Sequence, residues 1–323
     1  MIFNKFFILF KIGRKIGKSN IINIISETHK IPVFIKIFFN LLAFSFSSSK
    51  DTKNNIKDNL STSIQEMGTT FIKLGQFLAT RPDIIGEKLS KELESLQDKL
   101  PPFSKKEAEK IIIENLGQSN FDDIIDLSEP IAAASIAQVH KAKIKEDNII
   151  KNVAIKVLRP NIKKIFNDEI DAIMLLAYII ENLITKTKRL KLIEVVFLFK
   201  EITNHEMDLR FEAAAANEYA ENTKNDLGFF VPKIYWNFTS ESVLTLDWVD
   251  GISIREKDLL KEKNIETSKI ATNLIQHFLR HAVRDGFFHA DMHQGNIFIN
   301  ESSQIVPIDF GIMGRIDKLS RRY

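Results

Sequence analysis

The sequence predicts an α+β fold in which a small antiparallel sheet is set among helices. Two runs rich in β-branched residues lie at 135–144 and 153–157. The stretches before and after these runs carry apolar residues at helical spacing. At about 150 residues per domain, 323 residues without an internal repeat suggest two domains or one bilobal unit with an extension.

Composition excludes several classes of protein. With 44% hydrophobic and 27% charged residues, the chain has enough apolar material for a core and is neither disordered nor collagenous. It has no cysteine, which excludes disulfides, thiol catalysis and cysteine-ligated metal sites. The net charge is +3, but residues 1–40 carry seven Lys or Arg and one Glu, so the remainder is slightly acidic. A binding face for nucleic acid should be basic throughout, and we therefore expect no nucleic-acid partner.

Residues 1–50 form a basic, phenylalanine-rich extension. Phe3, Phe6, Phe7 and Phe10 recur at helical spacing before a run of lysines and arginines, a pattern typical of a helix lying on an anionic membrane surface. The second apolar stretch, 31–46, is shorter than the roughly 20 residues that a spanning helix needs. We therefore expect residues 1–46 to contact a membrane surface and the chain to contain no transmembrane helix. Alternatively, both segments are amphipathic helices packed on the body of the protein.

Helices dominate the next segment, residues 60–120. A stripe of Ile64, Met67, Phe71, Leu74 and Leu78 predicts one helix from Ser61 onward. After Arg81-Pro82-Asp83 a second helix is expected to run to about Lys99 and to stop before Pro101-Pro102. Ser104 and Glu107 have the spacing of a capping box, and Gly117 follows as a stop signal, so a third helix is expected over 104–115.

Strand and helix signals then alternate along 121–250 and 251–323, the two remaining predicted domains. The expected elements are strands at 135–144 and 153–157 with a charged hairpin at 145–152, helices over 161–222 with a break near 185–189, strands at 233–238 and 242–248, a helix over 268–284, and short strands near 297–299 and 305–308.

One cluster of motifs carries chemistry. Asp291 lies in His289-Ala-Asp-Met-His293-Gln-Gly-Asn296, and Asp309 follows 13 residues after Asn296 in Asp-Phe-Gly. Phosphoryl transfer needs a carboxylate near the acceptor hydroxyl, together with an amide oxygen and a second carboxylate that hold Mg²⁺. Asp291 is the candidate for the first role, and Asn296 and Asp309 are candidates for the others. The spacing is that of a kinase catalytic loop followed by its magnesium-binding motif.

The remaining parts of a nucleotide site precede this cluster in the expected order. Lys156, in Val-Ala-Ile-Lys-Val, is placed to bind nucleotide phosphates, and Glu212, 56 residues later, is its candidate ion-pair partner. A small-residue loop comes before the lysine strand, where alanine tolerates positive φ less well than glycine. Its members, which we expect to contact nucleotide, are Ala132, Ala133, Ala134 and Ser135. Backbone groups of Asp247 and Val249 are candidates for contact with adenine.

On these motifs the chain resembles the UbiB family of atypical kinases, over about residues 60–323. Phe71-Ile-Lys73-Leu-Gly-Gln76 matches the Lys-x-Gly-Gln module of that family, and Glu206-Met-Asp208 matches its Glu-x-Asp motif. The resemblance implies a bilobal protein-kinase-like fold with an added helical Lys-x-Gly-Gln module over 60–120, an N-lobe with inserted helices over 121–250, and part of a C-lobe over 251–323. It also implies that Lys73, Gln76, Glu206 and Asp208 are regulatory residues near the active site.

The resemblance further implies a function. Members bind ADP or ATP with Mg²⁺, hydrolyse ATP, and work at a membrane with enzymes and lipid or quinone precursors of ubiquinone biosynthesis. We accordingly expect a protein peripheral to the cytoplasmic face of the inner membrane. Two other functions stay open: a nucleotide-sensing scaffold without catalysis, and a small-molecule or lipid kinase.

Simpler interpretations stand beside these. His289 and His293 are more readily explained as neutral braces of the catalytic loop than as metal ligands. Glu206, Asp208 and Glu212 would ordinarily be solvated, but the motifs favour function for all three. Spacing places Asp208 and Glu212 on one helical face.

Overall fold

A computed structural model of the chain describes residues 8, 10–15, 17, 60–94, 96, 100–183 and 185–322. The chain divides into two compact units that alternate along the sequence. The first contains Met1–Pro101, Ala134–Ile136 and Asn161–Asn204, and the second contains Pro102–Ala133, Ala137–Pro160 and His205–Tyr323.

Eleven α-helices are labelled here in the described part of the chain. They are α1 (Leu60–Met67), α2 (Thr69–Ala79), α3 (Pro82–Ile85), α4 (Glu87–Leu93), α5 (Lys105–Leu116), α6 (Gln118–Asp122), α7 (Ile162–Leu183), α8 (Leu192–Glu206), α9 (Leu209–Thr223), α10 (Lys257–Glu262) and α11 (Thr267–Arg280). Short 3₁₀ segments occupy Thr185–Leu190, Trp236–Phe238 and Ser320–Arg322. The strands are β1 (Ile124–Ile125), β2 (Pro130–Ala133), β3 (Ala137–Glu146), β4 (Ile149–Leu158), β5 (Val243–Asp247), β6 (Gly251–Ser253), β7 (Phe287–His289), β8 (Ile297–Asn300), β9 (Ile305–Pro307) and β10 (Met313–Arg315).

The first unit packs helices around a small apolar core. Its buried members are Ile12, Leu60, Met67, Phe71, Leu89, Leu93, Leu96 and Ala172. The single helix predicted from Ser61 is wrong, because Gly68 adopts φ 103° and separates α1 from α2. The next predicted helix is also divided: Gly86, at φ 83°, separates α3 from α4, which ends at Leu93.

The described part of the N-terminal extension packs on this core. Residues 10–15 are helical, and Ile12 is only 2% exposed among the core residues. Lys15 Nζ donates to the Met67 carbonyl at 2.7 Å and lies 3.7 Å from the Glu169 carboxylate. Ile12 thus agrees with the alternative in which this segment packs on the body of the protein, whereas Phe10 is 42% exposed. Most of residues 1–46 lie outside the described residues. None of the described helices is both long and apolar enough to cross a membrane.

The second unit is built on an antiparallel sheet in the order β1-β3-β4-β5, with β2 also paired to β3. The β3–β4 hairpin pairs from Ala137–Leu158 to Glu146–Ile149 and turns at Asp147 and Asn148, whose φ angles are 50° and 63°. Most of the loop predicted at 145–152 is therefore strand, because a two-residue turn with positive φ suffices to join the strands.

One face of this sheet forms the core of the second unit. Ile144, Val153, Ile155 and Val157 alternate inward and pack with Ile112 of α5. Helix α5 confirms the sequence prediction: Ser104 caps it, the reciprocal bond with Glu107 is present, and Gly117 follows it. The sheet and α5 support β4, from which Lys156 projects.

Two other predicted elements differ in the structure. Residues 233–238 form a single bridge, Ile234 to Leu246, followed by a 3₁₀ turn, because Thr239 and Thr245 side chains bond to backbone carbonyls there and compete with a ladder. The helix predicted to Arg284 is α-helical to Arg280 and continues as a π-turn over His281–Asp285, ending at Gly286 with φ 68°.

Candidate active site

A buried ion pair joins β4 to α9. Val153, Ile155 and Val157 of β4 face the core, so Lys156 projects from the opposite face of the strand. Its Nζ lies 2.9 and 2.8 Å from the two carboxylate oxygens of Glu212, whose side chain is 8% exposed. The two residues are 56 positions apart, so tertiary packing alone brings them together, as the sequence motifs predicted.

The Asp-Phe-Gly segment adds a second carboxylate to this pair. Asp309 Oδ2 lies 3.4 Å from Lys156 Nζ, and its Oδ1 accepts a bond from the Gly311 amide at 3.0 Å. The Phe310 amide donates to Glu212 Oε1 at 3.4 Å. The lysine is consequently held between two carboxylates, and the backbone after Asp309 is tied to the same glutamate.

Burial and neighbouring charges together set the pKa values of Lys156, Asp309 and Glu212. Burial by itself would lower the pKa of Lys156, but the carboxylates of Asp309 and Glu212 outweigh burial and raise it. Burial would raise the pKa of Asp309, yet the ammonium group of Lys156 and the Gly311 amide lower it to about 2. Burial raises the pKa of Glu212, and Lys156 opposes that rise. Near neutral pH the lysine is therefore a cation and Asp309 an anion.

The loop after β7 places Asp291 and Asn296 together. His289 Nδ1 accepts from the Asp291 amide at 3.1 Å, so the opposite nitrogen, Nε2, carries the proton and donates to the Asp309 carbonyl at 2.5 Å. Burial lowers the pKa of His289, which keeps the ring neutral and suited to this bonding. Asn296 Nδ2 approaches the Asp291 carbonyl and carboxylate at 3.4 and 3.5 Å. The loop is thus fixed to the strand that leads to Asp309.

Comparison with known proteins identifies the family of the chain. A family model described as "ABC1 atypical kinase-like domain" matches residues 95–323. The chain belongs to the ABC1 atypical kinase-like family.

Two curated relatives of this ABC1 protein share a name. The chain is 35% identical over 89% of its length to "Probable protein kinase UbiB" of Marinobacter nauticus and 31% identical over 98% to the protein of that name from Pseudomonas paraeruginosa. The alignments cover 52% and 60% of those relatives, so the chain spans little more than half their length. Among solved structures, the Mycobacterium tuberculosis protein Rv3197, determined in complex with erythromycin, matches with a TM-score of 0.51 at 24% identity, covering 75% of this chain and 59% of that one. The family match and this structural likeness together confirm the kinase-like fold predicted from the sequence.

The oxygens of this ABC1 site suit a hard divalent cation. Asn296 directs its amide nitrogen toward Asp291, which leaves its side-chain carbonyl oxygen for a ligand role. Asp309 is an anion with a 43% exposed side chain. Mg²⁺ prefers oxygen ligands of this kind, usually one or two from the protein with water and phosphate oxygens completing the shell. The residues present therefore fit the predicted metal.

His293 braces the same loop. Its Nδ1 accepts from the Gly295 amide at 3.0 Å, and its Nε2 lies 3.8 Å from Asp291 Oδ2. Like His289, it has the bracing contacts expected from the sequence.

The predicted nucleotide-binding residues are distributed differently. Ala132 and Ala133 belong to β2 and pair with Val139 and Gln138 of β3, so the loop that they were expected to form is shorter. Ala134 and Ser135 belong to the first unit, where the Ser135 carbonyl accepts from Thr69 Oγ1 at 3.4 Å.

Asp247 has a structural role beside any contact with adenine. Its carboxylate accepts from the Tyr235 hydroxyl at 2.6 Å and from the Lys233 amide at 3.0 Å, while its own amide donates to the Lys233 carbonyl. Val249 follows in the partly exposed connection between β5 and β6. Contact of either residue with nucleotide stays a prediction.

The residues implied by the UbiB resemblance fall in both units. Lys73 and Gln76 lie one turn apart on α2, where Gly75 lets Leu96 and Ile64 approach the helix backbone. Glu206 is the last residue of α8, whereas Asp208 caps α9 and binds Arg210 with both oxygens. Asp208 therefore precedes α9 in an extended conformation, so the single helical face predicted for Asp208 and Glu212 is wrong, and Glu206 belongs to a different helix.

Sequence reasoning missed a residue that touches this site. The ring of Tyr219 meets that of Phe310 edge-on, with centroids 6.4 Å apart. Tyr219 follows Glu212 by seven residues, which is the same face of a helix two turns later. That spacing was the available signal.

Proposed function

We propose that this ABC1 protein binds ATP or ADP with Mg²⁺ and catalyses phosphoryl transfer, as an atypical kinase or ATPase. The observation that carries the proposal is Lys156, held as a cation between Glu212 and Asp309 beside the loop containing Asp291 and Asn296. A fixed lysine next to two metal-binding oxygens is the arrangement that positions nucleotide phosphates in kinases.

Each residue has a distinct role in this proposal. Lys156 binds nucleotide phosphates, and Glu212 holds the lysine in place. Asp309 and Asn296 bind Mg²⁺, which neutralises charge on the phosphate oxygens when it is present. Asp291 orients the attacking hydroxyl or water, while His289 fixes the backbone of both Asp291 and Asp309.

Membership of the family and the name of the relatives support a role in ubiquinone biosynthesis. In this proposal the protein acts with enzymes of that pathway and with lipid or quinone precursors, peripheral to the cytoplasmic side of the inner membrane. Residues 1–46 would contribute the contact with anionic lipid through the excess of lysine and arginine over acidic residues.

The test is a thermal-shift titration of the purified chain with ADP and ATP, with and without Mg²⁺. Nucleotide at 100 times its dissociation constant should stabilise the folded state by about 2.7 kcal/mol. Asp309→Asn should remove the magnesium-dependent part of the shift and abolish phosphate release. The matched control is Asp126→Asn, which alters an exposed ion pair with Lys143 and should leave both unchanged. An unaltered magnesium response in Asp309→Asn would refute the assignment.

A nucleotide-binding scaffold is the second candidate. Ala132 and Ala133 are engaged in β2, and alanine adopts the positive φ of phosphate-wrapping loops less readily than glycine. A magnesium-dependent thermal shift without phosphate release would favour the scaffold. Transfer of label from γ-labelled ATP to an added quinone precursor or lipid would instead identify a kinase with a small-molecule acceptor.

A further inference from the structure

Tyr219 occupies a central position in the second unit. It lies on α9, two helical turns or about 10 Å after Glu212, and is fully buried. Its ring makes edge contacts with Phe229, Phe287 and Phe310 at centroid distances of 5.5, 6.1 and 6.4 Å. One side chain of α9 thus touches both the strand that leads to the Asp291 loop and the Asp-Phe-Gly segment.

The Tyr219 hydroxyl begins a chain of buried hydrogen bonds. It lies 2.7 Å from His281 Nδ1, and His281 Nε2 lies 3.0 Å from Asp226 Oδ2. A carboxylate only accepts, so Nε2 of the neutral ring carries the proton and Nδ1 accepts from the tyrosine hydroxyl. The direction of the chain is therefore Tyr219 to His281 to Asp226.

Asp226 anchors the far end of this chain. Arg284 donates to both of its oxygens, at 2.7 and 2.9 Å, and Arg280 lies 3.8 Å away. Asp226, His277 and His281 also bring possible ligand atoms within 4.8 Å of one another, as in a metal site. The two arginines make that interpretation unfavourable, because a cation would have to displace a guanidinium group and sit beside a second positive charge.

We propose that Tyr219 and His281 are positioning residues, which hold α9 so that Glu212 stays on Lys156. The inference rests on the proposed function for its consequence in turnover, but the contact itself can be tested separately. Phe310 supports it from two sides, since its amide donates to Glu212 and its ring meets Tyr219. Because a helix is stiff over two turns, loss of the bond at Tyr219 shifts the glutamate.

The experiment measures acetylation of Lys156 by sulfo-NHS acetate at pH 7.5, followed by mass spectrometry of its peptide. The Glu212 carboxylate covers Lys156 Nζ with two contacts at 2.9 and 2.8 Å, so movement of Glu212 opens the amine to the reagent. Glu212→Gln is the positive control. Tyr219→Phe keeps the ring and removes only the hydroxyl, and it should raise acetylation by up to about tenfold, the factor that one hydrogen bond can supply.

Two substitutions of His281 separate its two bonds. His281→Asn retains an oxygen near the Nδ1 position that can accept from Tyr219, whereas His281→Gln retains a donor near Nε2 that can reach Asp226. If the bond to Tyr219 positions α9, Lys156 should be acetylated close to the wild-type rate in His281→Asn and close to the Tyr219→Phe rate in His281→Gln. The Tyr219 hydroxyl also has a hydrogen bond with the His289 backbone, which Tyr219→Phe removes as well. The double variant Tyr219→Phe/His281→Gln should be no faster than Tyr219→Phe, since the bond to His281 is already absent there.

The structural control is Thr223→Val. Its hydroxyl bonds to the Tyr219 carbonyl within α9, so the change affects the same buried helix without breaking the chain to His281. We expect it to lower stability and to leave acetylation unchanged. Acetylation at the wild-type rate in Tyr219→Phe and His281→Gln would overturn the proposal, as would an equal rise in Thr223→Val. If the variants show the expected acetylation rates but the wild-type chain shows no ATP turnover, the enzymatic function is refuted and the positioning role is retained.

Discussion

Replacing Glu212 by glutamine should destabilise the second unit substantially. The change keeps the shape of the side chain but removes the charge that faces Lys156 at 2.8 and 2.9 Å. The exposed fractions of the two side chains are 8% and 17%, so water replaces little of the lost interaction. Removing one partner of a buried pair costs about 3–5 kcal/mol.

Two features of the structure reduce the expected loss of unfolding free energy below that range. Asp309 remains 3.4 Å from Lys156, and the glutamine carbonyl can still accept one bond. We therefore expect the free energy of unfolding to fall by about 2–3 kcal/mol, scaled from the cost of breaking a buried pair. The matched control is Glu218→Gln on the same helix, whose partner Arg315 and own side chain are 65% and 42% exposed. An exposed pair of this kind contributes at most about 1 kcal/mol.

Urea unfolding followed by tryptophan fluorescence measures both variants. The two tryptophans, Trp236 and Trp248, lie in the second unit, so the signal reports the unit that contains the pair. Raising the salt concentration should weaken the Glu218 pair and change the Glu212 pair little, because buried charges are screened less. Equal losses of stability in Glu212→Gln and Glu218→Gln would refute the conclusion that the pair is buried and structurally important.

Two other predictions concern stability. Burial lowers the pKa of four histidines below 6.5, so the unfolded chain binds more protons than the folded chain as the pH falls. The contribution of these histidines to the free energy of unfolding should therefore be complete above about pH 6.5 and decrease below it. In urea titrations the decrease should be at most about 1.4 kcal/mol per pH unit for each histidine. The four are His140, His277, His281 and His289. A pH-independent value between 7 and 5 would contradict this. Separately, Ser104→Ala should cost about 1 kcal/mol by removing the capping box of α5, whereas Ser302→Ala, in the exposed turn between β8 and β9, caps no helix and gives the comparison.

Local signals along the chain predict structure reliably where one element satisfies its own hydrogen bonds. The start and end of α5 follow from Ser104, Glu107 and Gly117, because a capping box and a glycine stop act within a few residues. The same reasoning failed at Gly68, where a continuous apolar stripe hid a break between two helices. It failed again at 233–238, where threonine side chains compete with strand pairing. Periodicity reports which face is buried and does not report how the backbone turns.

The sequence alone determined the kinase-like family and the residue types of the candidate site, because Lys156, Asp291, Asn296 and Asp309 occur in motifs with a characteristic order and spacing. Only the tertiary structure decided how they combine. Lys156 meets Asp309 across 153 residues, and Tyr219 meets His281 across 62. Such contacts depend on how helices and strands pack, and no local rule fixes the distance between side chains so far apart. The sequence therefore predicts the chemistry, and packing decides which side chains hold it in place.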